Sequence, residues 1–174
     1  QSVIGSISAL QYRNKSTDNK LKRVQASELQ KLCNDHQVPF IINSNIDLAI
    51  ELGADGVHLG REDTDCVEAR RRLGQHKLIG VSCYNEIQRA EQAVVDGASY
   101  IAFGAMFPSS TKANTVRAST DLIQRAKQRY TIPVIAIGGI TTANCGVAVD
   151  AGADLLAVVS SVYLADNPVT VIHT

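Results

Sequence analysis

The 174-residue sequence has no excess of charge of either sign, because seventeen basic and seventeen acidic side chains cancel. So balanced a chain gives no electrostatic reason to expect nucleic acid or a membrane surface as partner. No apolar stretch approaches the roughly 18–20 uncharged residues of a membrane-spanning helix. No basic-then-apolar leader opens the chain, and "QSVIG" lacks a Met, so the N-terminus is expected to be trimmed or incomplete. The four cysteines, Cys33, Cys66, Cys83 and Cys145, form no C-x-x-C pair and read as reduced thiols of a cytoplasmic protein. The four histidines show no metal-ligand spacing, which argues against a transition-metal site. No Ser-His-Asp or Cys-His constellation offers a nucleophile. No G-x-G-x-x-G follows the first strand, which counts against an open dinucleotide-binding sheet.

What is present is a core and a rhythm. At 45% hydrophobic, the chain can build one compact domain over residues 1–174. Strand-like runs fall at 6–13, 38–43, 55–59, 77–82, 99–107, 132–139 and 153–160. Helix-period segments separate them at 18–35, 46–53, 65–74, 85–97, 119–129 and 141–152. Such alternation predicts βα units around a parallel sheet. "ELGADGVHLG", "VDGASYIAFGA" and "DAGADLLAVVS" each end a helix on Gly and start a strand within three residues. "VPFIIN" and "IPVIAIG" each place Pro at a strand start, where its missing N–H is tolerated. This self-similarity points to an α/β protein of the (β/α)8 TIM-barrel type. Seven strands are one short of closure, so most of the first βα unit and part of the last helix are expected to be missing.

Chemistry in such a fold belongs at the C-terminal ends of the strands. The first ends "LQYRNK", and strand alternation sends Gln11, Arg13 and Lys15 one way and Tyr12 and Asn14 the other. Two cations and an amide aimed together are costly unless an anion meets them. The next ends supply Asn43 and Ser44, then Glu62 and Asp63 through "HLGRED", then the Ser82 hydroxyl. "FPSSTKANT" carries Ser109, Ser110, Thr111 and Lys112, a set of hydroxyls and a cation suited to phosphate oxygens. The last two ends, "IGGI" and "VVSSV", suit a phosphate held by backbone amides, with Ser160-Ser161 read as the cap of a short helix. Three cations (Arg13, Lys15, Lys112) with Asp63 nearby fit a diphosphate bridged by Mg²⁺, which takes one or two carboxylates plus phosphate oxygens.

Read in order, "LQYRNK", "IIN", "GADGVHLGRED", "IGVS", "FPSSTK", "IPVIAIGGI" and "GADLLAVVS" resemble the thiamine-phosphate synthase family over essentially the whole chain. The resemblance implies a barrel transferase that binds a pyrimidine methyl diphosphate and a thiazole phosphate. It assigns Gln11, Arg13, Lys15, Asn43, Ser82 and Lys112 to the pyrimidine diphosphate. Lys15, Ser82 and Lys112 are the candidates for catalytic contacts, with Asp63 and position 44 at Mg²⁺. Ser109, Thr111, Gly139, Val159 and Ser160 would surround the thiazole phosphate. The implied step is dissociative: diphosphate leaves, and the thiazole nitrogen captures a pyrimidine methylene cation. The implied partners are these small molecules alone, with no nucleic acid or membrane and an oligomeric state left open.

Two departures from the family stand out. Ser44 replaces the usual Asp of an Asn-Asp pair, and Ser109 stands where Thr is common. A unit charge lost about 4 Å from a cation forfeits up to roughly 4 kcal/mol per unit of cation charge at an effective dielectric near 20. Waters and diphosphate oxygens recover part of it, so a weakened metal site is expected. The alternatives are a thiazole phosphate tautomerase, which would not need Lys15, Lys112 and Asp63 together, and a non-catalytic barrel that binds a phosphate compound. His58 reads as a hydrogen-bonded interior histidine, residues 68–77 as a solvated basic helix face, and Cys83 as an unreactive thiol.

Overall fold

The computed structural model describes residues 3–108 and 116–173. It divides into two compact units, Gln1–Ile79 and Gly80–Thr174. In the first unit a short 3-10 turn at Ile4–Ser6 precedes β1 (Leu10–Tyr12), α1 (Asn19–Asp35), β2 (Phe40–Asn43), α2 (Ile46–Leu52), β3 (Gly56–Leu59) and α3 (Cys66–Leu73). β1 pairs in parallel with β2, and β2 with β3, in a register that puts Leu10 opposite Phe40 and Asn43 opposite His58. In the second, β4 (Leu78–Tyr84), which begins just before the division, leads to α4 (Ile87–Val95), β5 (Tyr100–Phe103), α5 (Thr120–Arg129), β6 (Val134–Ile137), α6 (Cys145–Asp150) and β7 (Leu155–Ala157). β4 to β7 pair in parallel in chain order. Two short helices follow, α7 (Ser160–Tyr163) and α8 (Pro168–His173).

Among the described residues each of the seven strands is followed by a helix, so the α/β reading is borne out. Several elements are shorter than the apolar runs predicted. The run 6–13 contains both the 3-10 turn and β1, and the run 99–107 leaves the strand at Gly104. Residues 141–144 form a turn before α6, closed by Asn144 Oδ1 accepting from Thr141 N–H at 2.8 Å.

The repeated "GA" punctuation has a common cause. Gly53, Gly97 and Gly152 all take positive φ (67°, 85° and 95°), a conformation that costs a residue with a Cβ about 1 kcal/mol or more. The alanine after each donates its N–H back across the helix end: Ala54 to Ala49 O (2.9 Å), Ala98 to Ala93 O (2.9 Å) and Ala153 to Ala148 O (3.1 Å). These are the six-to-one bonds of a Schellman termination.

Strand starts are pinned by carboxylates. Asp55 Oδ2 accepts from the N–H of Phe40 at 2.8 Å, and Asp154 Oδ2 from that of Val134 at 2.7 Å. In both cases the preceding residue is a proline whose carbonyl takes the N–H of the neighbouring strand: Leu10 to Pro39 O at 2.9 Å, Ile101 to Pro133 O at 3.1 Å. Pro followed by an apolar residue, and "GAD" one βα unit later, are therefore two halves of one device. It serves strands whose first residue is completely buried, since Phe40 and Val134 are 0% exposed.

Glycine also makes room inside the second unit. A Cβ on Gly80 would sit 1.9 Å from the Tyr100 ring, its register partner on β5. The buried faces are apolar: Ile41, Ile42, Val57 and Leu59 in the first unit, and Val81, Ile101, Phe103 and Ala136 in the second. No described helix is long and apolar enough to cross a membrane.

Burial pushes the Asp154 carboxyl up, but hydrogen bonds from Lys127 Nζ (2.7 Å) and Val134 N–H outweigh it and hold the group below the usual carboxylate range. The unfolded chain then takes up this proton first as pH falls. The stabilisation is complete above about pH 4 and is lost as pH drops through the folded value. Asp154→Ala leaves the buried Val134 N–H without its acceptor, and should lower the unfolding free energy by about 1–3 kcal/mol at pH 7. Urea unfolding at pH 7 and pH 3 should show the gap between parent and variant narrowing in acid.

Candidate functional site

In the first unit the end of β1 is oriented by its contacts with α1. Tyr12 Oη and Asn14 Nδ2 both donate to Gln25 Oε1, at 3.0 and 2.8 Å, and Asn14 Oδ1 accepts from Ser16 N–H at 2.7 Å. Asp18 then caps α1 by accepting from Leu21 N–H at 3.0 Å. With Tyr12 and Asn14 committed, Gln11, Arg13 and Lys15 are left exposed, as strand alternation predicts. Arg13 and Lys15 line a cavity of about 290 Å³ together with Asn14, Asn43, Ser44 and Asn45, while Gln11 is not among its described lining residues. Neither cation makes a hydrogen bond or ion pair among the described residues. Lys22 of α1 also reaches this cavity. Sequence reading missed it, because "NKLKR" looks like any charged helix start.

The β2–α2 turn is the most constrained part of this end. Asn43 Nδ2 donates to Ser44 Oγ at 2.6 Å, and the Ser44 hydroxyl donates its own proton to Asp63 Oδ2 at 2.7 Å. Gly60 N–H reaches the same carboxylate oxygen at 2.6 Å. Ser44 holds φ at +64° while its N–H donates to the His58 carbonyl at 2.9 Å. Asn45, not Ser44, is the helix cap, accepting from Leu48 N–H at 3.0 Å. The three residues thus divide the work: Asn43 ends the strand, Ser44 turns the chain and orients Asp63, and Asn45 starts the helix. Among the described residues no group of three His, Cys, Asp or Glu side chains is placed to hold a metal, so any cation here would rest on Asp63 and ligand oxygens.

His58 is 6% exposed, and burial pushes its pKa down to about 4 against the opposing pull of Asp63. It is therefore a neutral interior imidazole at neutral pH.

In the second unit Ser82 lies on β4 beside a register shift, and its carbonyl accepts from Arg89 Nε at 2.7 Å while the guanidinium lies 5.8 Å from the Tyr84 ring centroid. Cys83 is completely buried and its thiol is pushed up to about 12 by that burial, which removes any thiolate chemistry at neutral pH. Gly138 and Gly139 follow β6 with φ of 99° and 64°. Their backbone docks on the segment after β5: Phe107 N–H donates to Gly138 O at 3.0 Å, and a Cβ on Gly139 would lie 2.4 Å from Pro108 O. Asn144 Nδ2 holds the Gly139 carbonyl at 3.0 Å. Ser109, Thr111 and Lys112 fall outside the described residues.

At the end of β7 the expected cap is corrected. The helix cap is Val159, 57% exposed and without a side-chain acceptor, while Ser160 and Ser161 lie within the first turn. Ser161 Oγ is buried with no hydrogen-bond partner. A polar pair before a short helix does not say which residue is the cap, since the position depends on where φ and ψ turn helical.

On fold, then, the chain is a (β/α) protein of the barrel class with its polar residues at strand C-terminal ends. A family model described as thiamine monophosphate synthase matches residues 1–162. A thiamine-phosphate synthase of Xylella fastidiosa (strain Temecula1) is 47% identical over 168 residues, covering 97% of this chain and 71% of the relative. One from Xanthomonas campestris pv. campestris is 50% identical over 171 residues, covering 98% and 82%. Among solved structures, thiamine phosphate pyrophosphorylase from Pyrococcus furiosus superposes with a TM-score of 0.86 at 28% identity, covering 98% of this chain and 84% of that one. A 3-hexulose-6-phosphate synthase, at TM-score 0.73 and 18% identity over 98% and 86% of the two chains, shares the fold. The chain belongs to the thiamine monophosphate synthase family.

Because the folded His58 titrates below its unfolded value of about 6.5, the unfolded chain binds the proton first. Stability is then full above pH 6.5 and declines as pH falls towards 4, by up to about 3 kcal/mol. Chemical unfolding in metal-free buffer across this window should show that decline. His58→Asn should flatten it.

Proposed function

We propose that this protein is a cytoplasmic transferase that joins 4-amino-2-methyl-5-(diphosphooxymethyl)pyrimidine to a thiazole phosphate, giving thiamine phosphate and diphosphate. Family membership supports the overall reaction, and one feature of the chain carries the assignment of roles: Arg13 and Lys15, two cations without a partner among the described residues, share a cavity with the amide of Asn43. Like charges gathered around one space repel one another, and an anionic leaving group offsets that repulsion.

In the proposed reaction the carbon–oxygen bond to diphosphate breaks, and its electron pair leaves with the diphosphate. The thiazole nitrogen then donates its lone pair to the exposed methylene carbon and forms the carbon–nitrogen bond. No side chain acts as nucleophile. Arg13 and Lys15, with Gln11 and the Asn43 amide, bind the diphosphate and stabilise the charge that develops on it. Ser82 and Lys112 are assigned to the same group. Ser109, Thr111, Gly139, Val159 and Ser160 are assigned to the thiazole phosphate, where they fix the acceptor nitrogen against the reacting carbon.

The residues present fit Mg²⁺ as a lean site. Asp63 is a carboxylate already oriented through Oδ2 by Ser44 and Gly60, and Mg²⁺ accepts one carboxylate when phosphate oxygens and water complete its shell. Bound there, Mg²⁺ would neutralise charge on the leaving diphosphate. Ser44 holds the carboxylate in place without adding a second negative charge.

Supplying both phosphorylated halves with millimolar Mg²⁺ should yield thiamine phosphate and diphosphate in equal amounts. Folded protein that gives neither would sink the assignment. Position 44 has the left-handed φ that Asp tolerates better than most residues. Ser44→Asp should therefore fold, and should lower the Mg²⁺ concentration for half-maximal rate about fivefold or more. An unchanged Mg²⁺ dependence would remove position 44 from the metal site.

A further inference from the structure

We propose that Lys22 is a further cationic contact for the diphosphate leaving group, beside those already assigned, a role that rests on the reading above of Arg13 and Lys15. The half-buried Lys22 stands in the first turn of α1, four residues after its Asp18 cap. That is an unfavourable place for a cation, since the free N–H groups of a helix start already carry positive partial charge. Its neighbours have found counter-charges and Lys22 has not. Arg23 Nε is bonded to the Glu51 carboxylate at 2.8 Å, and Arg72 pairs with Asp47. Glu51 and Asp47 are the two acids of an adjoining cavity of about 220 Å³ that Lys22 also lines, so both are engaged elsewhere. The Lys22 side chain makes no hydrogen bond or ion pair among the described residues.

The cavity of about 290 Å³ therefore gathers Arg13, Lys15 and Lys22, and no carboxylate is among its described lining residues. Three like charges around one space repel one another, and an anion bearing more charge than a monophosphate offsets all three. Lys22 approaches from the helix while Arg13 and Lys15 approach from the strand end. The anion would thus be held from two elements, which suits a leaving group that must stay in place while its bond breaks.

Isothermal titration of inorganic diphosphate into the protein, with and without Mg²⁺ and at low salt, tests this. Lys22→Gln should weaken binding about tenfold. Lys22→Arg should stay within about threefold of the parent, because it keeps the charge. Lys20→Gln removes the same charge from the same turn, at an exposed position outside the cavity lining, and should leave affinity unchanged. In steady state Lys22→Gln should raise KM for the pyrimidine diphosphate and leave KM for the thiazole phosphate alone. If Lys22→Gln binds diphosphate as tightly as the parent, or if Lys20→Gln weakens it equally, the assignment of Lys22 is overturned. If the parent fails to bind diphosphate in either condition, both this assignment and the reading beneath it are overturned.

Discussion

The carboxylate that reaches back to the first N–H of the preceding strand is the constraint on which the strand ends of each unit depend. Asp55 does this for Phe40 and Asp154 for Val134. A parallel strand buried on both faces leaves no water to satisfy its first amide, and the proline before it cannot donate. A fixed acceptor solves the problem and sets where the strand begins. Since β2 and β6 are four residues long, fixing the start also fixes the end. The end of β2 carries Asn43, and that of β6 leads into Gly138 and Gly139. A register error of one residue would turn Asn43 away from the cavity that it lines.

Against that rigid frame, charge is distributed unevenly. Most cations with a nearby acid use it, as Arg23 does with Glu51, Arg71 with Glu68 and Lys127 with Asp154. Exposed pairs of this kind add little to stability, because water and salt screen them. Among the described residues Arg13, Lys15 and Lys22 do not pair, and they border one cavity. Their field is available to a ligand because the fold has not neutralised it. Asp63 is handled in the opposite way, its carboxylate tied to Ser44 and Gly60 before any cation arrives. Positive charge is kept free, and the negative charge is kept still.

Much of this was legible in the sequence, for reasons that differ by feature. The helix ends read correctly because Gly before Ala-Asp or Ala-Ser demands a left-handed turn. The alternation of Arg13 and Lys15 against Tyr12 and Asn14 read correctly because a strand end repeats every two residues. The pairing of Asp55 with Phe40 and Asp154 with Val134 did not, since each joins residues a βα unit apart and only the repeated motifs hint at it. Strand lengths were overestimated where apolar residues continue past a bend, as at Gly104. The cap after β7 is Val159 and not Ser160-Ser161, because its place depends on where the backbone turns helical, and the approach of Lys22 to the cavity depends on side-chain surroundings; spacing encodes neither.

In the proposed reaction, positive charge at the end of β1 that has no partner among the described residues serves the departure of diphosphate. A rapid-quench single-turnover experiment on Arg13→Gln and Lys15→Gln, with both substrates saturating and diphosphate release as the readout, tests it most directly. The account predicts that the rate of bond cleavage falls about a hundredfold or more in each variant, while affinity for the thiazole phosphate is unchanged. Cleavage at the parent rate in both variants would contradict it.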